Sequence, residues 1–254
     1  MKHITHRLLL AFGIAFGIAA APQAQASVVI EGTRIVYQAK DRETTVKLSN
    51  NSKTPALTQV WLDRGDAAAA PGSIEVPFTV TPPIARIEGG QAQALRIIHT
   101  GEAMPQDKES VYWLNVLEVP PKAAPSDPDS GLLQMAIRTR IKLFYRPGGL
   151  KGSAEAAPAQ VTWRRTQIDG KPALEGRNPS AFNVSLSEVG LADGDKLLSA
   201  GGGMIEPGKT KVFPFEDATT SSAATKVRYQ FVNDYGTSIE GEAALGASAA
   251  VAAK

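Results

Sequence analysis

No cysteine occurs among the 254 residues. Neither a disulfide nor a cysteine nucleophile is therefore available, and the fold must rest on its apolar cores alone. Histidine is almost as scarce. His3 and His6 lie at the very start and only His99 lies further in; a single imidazole on a strand is usually a packing or surface residue. No Gly-x-Ser-x-Gly elbow is present, and the glycines at 201–203 are not followed by the Gly-Lys-Ser/Thr that cradles a phosphate. The acids of DPDSG (127–131) read as a turn rather than a calcium loop, because a proline interrupts them and downstream ligands are missing. Little is left for an enzyme, and no nucleotide, metal or other cofactor is expected.

Net charge is lacking too. Lys and Arg number 27 against 25 Asp and Glu. Residues 1–26 contain two of those cations, Lys2 and Arg7, and no acid, so the rest of the chain balances. Without a basic field to neutralise phosphates, nucleic acid is not an expected partner. Long apolar runs are confined to the opening, MKHITHRLLLAFGIAFGIAAAPQAQA. A basic start, an apolar stretch from Leu8 to Ala21 and the small residues Ala24-Gln25-Ala26 make a secretory leader, too short for a membrane span. Cleavage is expected near Ala26/Ser27, leaving an exported, soluble chain that is not inserted in a membrane.

What the sequence does have is alternation. TRIVYQA (33–39), TTVKLSN (44–50), ALTQVWL (56–62), ALRIIHT (94–100) and VYWLNVLEV (111–119) read as strands, separated by turn-forming clusters such as SNNSK, EGG and PPKAAPSDPDSG. A Gly-, Ala- and Pro-rich stretch, RPGGLKGSAEAAPAQ (146–160), marks a domain boundary. QVTWRR, PALEGRN, AFNVSLSEV, GGMIEPG, TKVFPF and KVRYQFV then suggest a second, smaller β domain. The expected organisation is a leader (1–26), two sandwich domains (27–150 and 151–245) and a flexible tail (246–254).

One stretch is too long for such a domain. In LLQMAIRTRIKLFYRP (132–147) the odd positions Leu133, Met135, Ile137, Ile141, Leu143 and Tyr145 are apolar, while Arg138, Arg140, Lys142 and Arg146 occupy even ones. As one strand from Leu132 to Arg146 it would extend roughly 45 Å at about 3.3 Å per residue. A domain of this size is only about 35 Å across. Periodicity alone leaves open whether the far end curls over its own sheet. Arg138 and Arg140 read as edge-strand blockers against uncontrolled sheet pairing.

MPQDKESVYWLNVLEVPP (104–121), GTRIVYQAKDRETTVKLSNNSKTPALTQVWLD (32–63), RIKLFYRP (140–147), RNPSAFNVSL (177–186) and VNDYG (232–236) together resemble the periplasmic chaperones of pilus (fimbrial) assembly. The resemblance runs in order from about Gly32 to about Glu242. It implies two immunoglobulin-like β-sandwich domains set at an angle around a cleft. It also implies a function: binding, folding and capping pilus subunits by lending a strand, then delivering them to an outer-membrane usher. Strand donation between such chaperones and pilins is an established form of strand addition. By the resemblance, Leu133, Met135 and Ile137 would be the lent side chains, and Arg34 and Lys142 the anchors for the subunit's terminal carboxylate. Glu109, Arg146 and Asp234 would form a charge network between the domains. The resemblance, with the modest 120–131 connection and no cysteine, points to the short-loop branch of the family and allows a free copy to cap itself as a dimer. The rival reading is a two-domain secreted adhesin or fimbrial structural subunit, which would be found in surface fibres.

Overall fold

The computed structural model describes residues 27–119, 135–194, 196–215 and 224–246. The architecture is all-β, in two domains. In the first, nine strands form two facing sheets. One sheet runs β1 (Val28–Ile30), β3 (Glu43–Asn50), β7 (Ala92–His99) and β5 (Phe78–Thr81). The other runs β2 (Arg34–Gln38), β9 (Ile137–Arg146), β8 (Ser110–Val119), β4 (Ala56–Asp63) and β6 (Ile84–Ile87). Alternation is why these segments pair: Val46 and Leu48, Leu95 and Ile97, Leu114 and Val116, and Ile141 and Leu143 all point into one core. Burying each such side chain contributes roughly 1.5–3 kcal/mol, and Leu143→Ala would remove about 2–5 kcal/mol. At the end of this core nearer the second domain, His99 lies among rings, with centroids 5.4 Å from Phe78 and 5.2 Å from Tyr145.

The second domain holds β10 (Thr162–Ile168), β11 (Lys171–Arg177), β12 (Val184–Asp193), β13 (Lys196–Ser199), β14 (Gly203–Ile205), β15 (Thr210–Pro214), β16 (Lys226–Val232) and β17 (Ser238–Gly246). The strand path is β13-β12-β16-β17-β10-β11-β15, with β14 also on β12. A short parallel contact, Trp163 opposite Leu245, joins its two halves. Trp163, Leu174, Val189, Leu191, Phe213 and Val227 fill the core. The one-turn helix α1 (Ala157–Gln160) adds the buried Ala157. Part of the stretch read as the domain boundary is thus wall of the second domain.

Both domains close a turn in the same way. The buried Asn50 and Asn178 donate their amides to two carbonyls each, and their Oδ1 atoms accept from Ser52 and Ser180. Paired carbonyls that would otherwise be orphaned explain why these asparagines tolerate burial.

β9 starts at Ile137, not at Leu132. Its last ladder partner is Glu118, opposite Ile137. β8 ends at Val119, and the sequence then places prolines, which have no N–H, at 120 and 121. With no ladder partner among the described residues, Met135 and Ala136 lie outside the strand. Leu133 and the 120–131 connection fall outside the described residues, as do the leader and the tail beyond Gly246.

Candidate functional site

β9 is paired on its two sides over different lengths. Toward β8 the antiparallel ladder runs from Ile137 to Tyr145. Toward β2 the parallel pairing covers only Lys142 to Arg146, starting with Arg34 opposite Lys142. Among the described residues, the edge of β9 from Ile137 to Ile141 therefore has no partner on that side. The inward stripe changes character along the same segment: Ile141 is 8% exposed, Thr139 and Ile137 are half-buried, and Met135 is 63% exposed. The apolar row that is core at Ile141 ends uncovered at Met135.

Where the open edge begins, cations gather. Arg34 Nη1 donates to the Val232 carbonyl of the second domain at 2.6 Å, and its guanidinium lies 5.9 Å from the Phe144 ring. Among the described residues its buried Nε has no hydrogen-bond partner. Burial lowers the Arg34 pKa, and Asp234 offsets part of that. Lys142 Nζ donates to Ser185 Oγ at 3.0 Å and sits 5.5 Å from the Trp113 ring. Burial, and then the charges of Arg34 and Lys211, push the Lys142 ammonium down to about 8. Lys211 itself lies over Phe213 and against Gly203, where a Cβ would come within 2.7 Å of its Cε. Three cations from two domains thus converge, and among the described residues no acid bonds Arg34 or Lys142. Such a cleft is built to receive an anion, which would form charge-assisted hydrogen bonds with both.

Glu109, Arg146 and Asp234 meet beside it. Arg146 Nε donates to Glu109 Oε1 at 2.6 Å, while its two terminal nitrogens donate to Asp234 at 2.7 and 2.9 Å. Glu109 Oε2 accepts from the Asn183 backbone N–H at 2.8 Å and from its side-chain amide at 3.2 Å. The Glu109 N–H donates to the Ala181 carbonyl across the same junction. Burial works against the Arg146 charge, but the hydrogen bonds and charges of Asp234 and Glu109 outweigh it and hold its pKa above the ordinary guanidinium range. A fork-shaped cation joined to one acid from each domain fixes orientation as well as distance.

Arg138 and Arg140 are not free edge charges. Both project from the outward face of β9 onto tryptophans, Arg138 at 5.3 Å from Trp61 and Arg140 at 4.2 Å from Trp113. Arg140 also forks onto the buried Asp63, at 2.5 and 3.1 Å, and Asn115 donates to Asp63 at 2.7 Å. Arg138 donates to Asn115 Oδ1 and the Ala67 carbonyl. Burial alone would raise the Asp63 carboxyl, but Arg140, Asn115 and the Gly65 N–H hold it below the usual range. The reason is electrostatic: the buried Asp63 needs a counter-charge, and a long arginine side chain on the same face of the sheet spans β8 to supply it. Sequence reasoning missed Asp63, Ser185, Asn183 and Lys211. The polar pair Asp63 and Asn115 inside otherwise apolar strands was the one signal available.

A further patch lies at the far end of the same outward face. Leu57 opposes Val119, and Gln59 is flanked by Ile84 and Leu117. Leu57, Ile84 and Val119 are all exposed.

The chain matches two family models in tandem. "Pili and flagellar-assembly chaperone, PapD N-terminal domain" covers residues 27–151, and "Pili assembly chaperone PapD, C-terminal domain" covers residues 156–243. The probable fimbrial chaperone YadV of Escherichia coli is 42% identical over 222 residues, 87% of this chain and 90% of that one. The crystal structure of the Pseudomonas aeruginosa CupB2 chaperone is similar with a TM-score of 0.73 and 36% identity, covering 86% of this chain and all of the other. The solved structure of Salmonella enterica SafA pilin in complex with the SafB chaperone gives a TM-score of 0.71 and 27% identity, covering 88% of this chain and 99% of the other. Two tandem domain matches, spanning both sandwiches and the charged cleft between them, place this chain in the PapD family of pilus-assembly chaperones.

Proposed function

We propose that this chain captures pilus subunits in the periplasm by lending them the open segment of β9, and then passes them to an outer-membrane usher. The observation that carries this reading is the coincidence at one place of three features: an unpaired strand edge, an apolar stripe leaving its own core, and a cation cluster. A subunit strand laid along Ile137–Ile141 would gain backbone pairing, and Met135 and Ile137 (with Leu133 of the sequence) would fill the groove of an immunoglobulin-like partner lacking a strand. Each apolar side chain so buried contributes roughly 1.5–3 kcal/mol before ordering costs. Arg34 and Lys142 would hold the subunit's terminal carboxylate. Pinning the chain end matters because a one-residue slip would turn every lent side chain to the wrong face.

The Glu109–Arg146–Asp234 fork keeps the two domains at a fixed angle around that carboxylate. The exposed patch of Leu57, Ile84 and Val119 supplies a separate face for the usher, since the cleft is occupied while the subunit is carried. Strand exchange needs no bond made or broken, so the role is non-enzymatic. The leader is removed near Ala26/Ser27 on export.

The test is co-production with the pilins encoded beside it, followed by purification of the complex from periplasm. Arg34→Ala, Lys142→Ala and Met135→Asp should each leave the chaperone folded and reduce complex recovery at least tenfold. Wild-type recovery from all three would refute strand donation at this edge. Presence of the chain in sheared surface fibres would favour a structural subunit instead.

A further inference from the structure

Glu118 is a carboxylate that the subunit-binding cleft does not use. It lies on the inward face of β8, 8% exposed, and belongs to no ion pair among the described residues. Its ladder neighbours are Thr58 on β4 and Ile137 on β9, and β1 brings Val28 against it; none of these three is a titratable or charged residue. Its two oxygens are taken by the start of the chain: Ser27 Oγ donates to Oε1, and the Val28 N–H donates to Oε2 at 3.0 Å. Ser27 is itself fixed, because its carbonyl accepts from the Asn51 N–H at 2.8 Å. A carboxylate buried without a cation is costly, and two neutral donors compensate it only in part.

We propose that Glu118 is a buried receptor for a primary ammonium, the α-amino group that leader removal creates on Ser27. This rests on the reading that cleavage falls between Ala26 and Ser27. Hydrolysis of that peptide bond converts the Ser27 amide nitrogen into an ammonium and leaves the carboxylate on the departing leader. Covalent geometry keeps that nitrogen within about 4 Å of Ser27 Oγ in any rotamer. The new charge therefore arises beside the one buried acid that has no ion-pair partner among the described residues. While the leader is attached that nitrogen is a neutral amide and offers Glu118 no charge.

The position gives the pair a use. Glu118 stands opposite Ile137, the residue where β9 enters its sheet. An ion pair there ties β1 to the root of the lent segment, so the donor end is completed only in the processed chain. The α-ammonium gains a partner in the folded state, so its pKa rises above the ordinary value of about 8. Its stabilisation is full below pH 8 and is lost as pH climbs through the raised midpoint.

The experiment compares protein beginning at Ser27, the same protein N-acetylated at Ser27, and Glu118→Gln in both forms. The α-amine is titrated by its rate of acylation with limiting active ester, read by mass spectrometry of the first peptide. Its midpoint should lie at least one pH unit above 8, falling back to about 8 in Glu118→Gln. Acetylation should lower the thermal midpoint at pH 7 when residue 118 is Glu, and leave it unchanged when it is Gln. Equal α-amine midpoints in the two backgrounds would overturn the proposal. N-terminal sequencing of exported protein separates the two ideas: a start elsewhere than Ser27 sinks the cleavage reading with it, whereas a start at Ser27 with equal midpoints sinks the receptor alone.

Discussion

Replacing Lys142 by methionine should make the free chaperone more stable and, at the same time, poor at capture. The methionine keeps an apolar stem over Trp113 and removes the charge. In the fold that charge is opposed by burial and by Arg34 and Lys211, which bring the ammonium from an ordinary 10.5 to about 8. At about 1.4 kcal/mol per tenfold, the gap corresponds to roughly 3 kcal/mol. Screening by the water the group still touches leaves about 1–2 kcal/mol. The lost bond to Ser185 Oγ takes back part of it, since that hydroxyl can turn to another partner at small cost. Lys142→Met should therefore raise Tm at pH 7 by a few degrees. The pH dependence has a fixed sign. Between pH 8 and 10.5 the unfolded chain holds a proton on Lys142 that the folded chain has lost, so wild-type stability climbs across that window and the variant's does not. Capture moves the other way, because a charge-assisted bond worth about 1.5–3 kcal/mol is gone and complex recovery falls at least tenfold. Thermal melts from pH 7 to 10.5 and periplasmic pull-downs check both halves. A variant that melts below wild type at pH 7, with an unchanged slope above pH 8, would refute the electrostatic argument.

Arg146→Met strands Glu109, only 4% exposed, without its cation, and should cost about 3–5 kcal/mol in urea unfolding. Asp234→Asn, on the more exposed arm of the same fork, should cost about 1 kcal/mol; equal losses would mean the two arms are not ranked by burial. Arg140→Met should cost about 2–4 kcal/mol by leaving Asp63 buried and unpaired, and combining it with Asp63→Asn should recover at least 1 kcal/mol in a double-mutant cycle. Additive losses would show that the two side chains do not act together. Leu57→Asp with Ile84→Asp should leave stability within about 0.5 kcal/mol and subunit capture intact, because both side chains are exposed. Pilus display on the cell surface should fall, and unchanged display would free the patch from any role in handover.

The parts of this molecule that were legible in the sequence are those governed by alternation along a single segment. Val46 and Leu48, Leu95 and Ile97, and Ile141 and Leu143 announce their strands because each faces one core with period two. Strands without that rhythm escaped notice. β6 is four residues beside a double proline, β13 is four residues with no buried side chain, and β17 carries Gly, Ala and Glu, which pair through backbone without an apolar rhythm. Phe144 breaks the alternation of β9, being buried on the outward face, because the second domain covers it there. The charge fork was legible only through family resemblance, since Glu109, Arg146 and Asp234 are up to 125 positions apart and nothing local marks them as neighbours. Ser185 and Lys211 were not legible at all: they acquire meaning only when the second domain is set against β9.

The parallel pairing of β2 with β9 stops at Arg34 and Lys142, and under the strand-donation proposal that stopping point is the zero of a ruler. A chain end seated there has its length read off from the cleft outward in two-residue notches, toward Met135. A pilin lengthened by one residue at its terminus would arrive with its side chains out of phase. One lengthened by two would arrive in phase but a notch too far along. With chain ends anchored as proposed, the chaperone would impose a common finishing position on every subunit it accepts, however much their sequences differ before it.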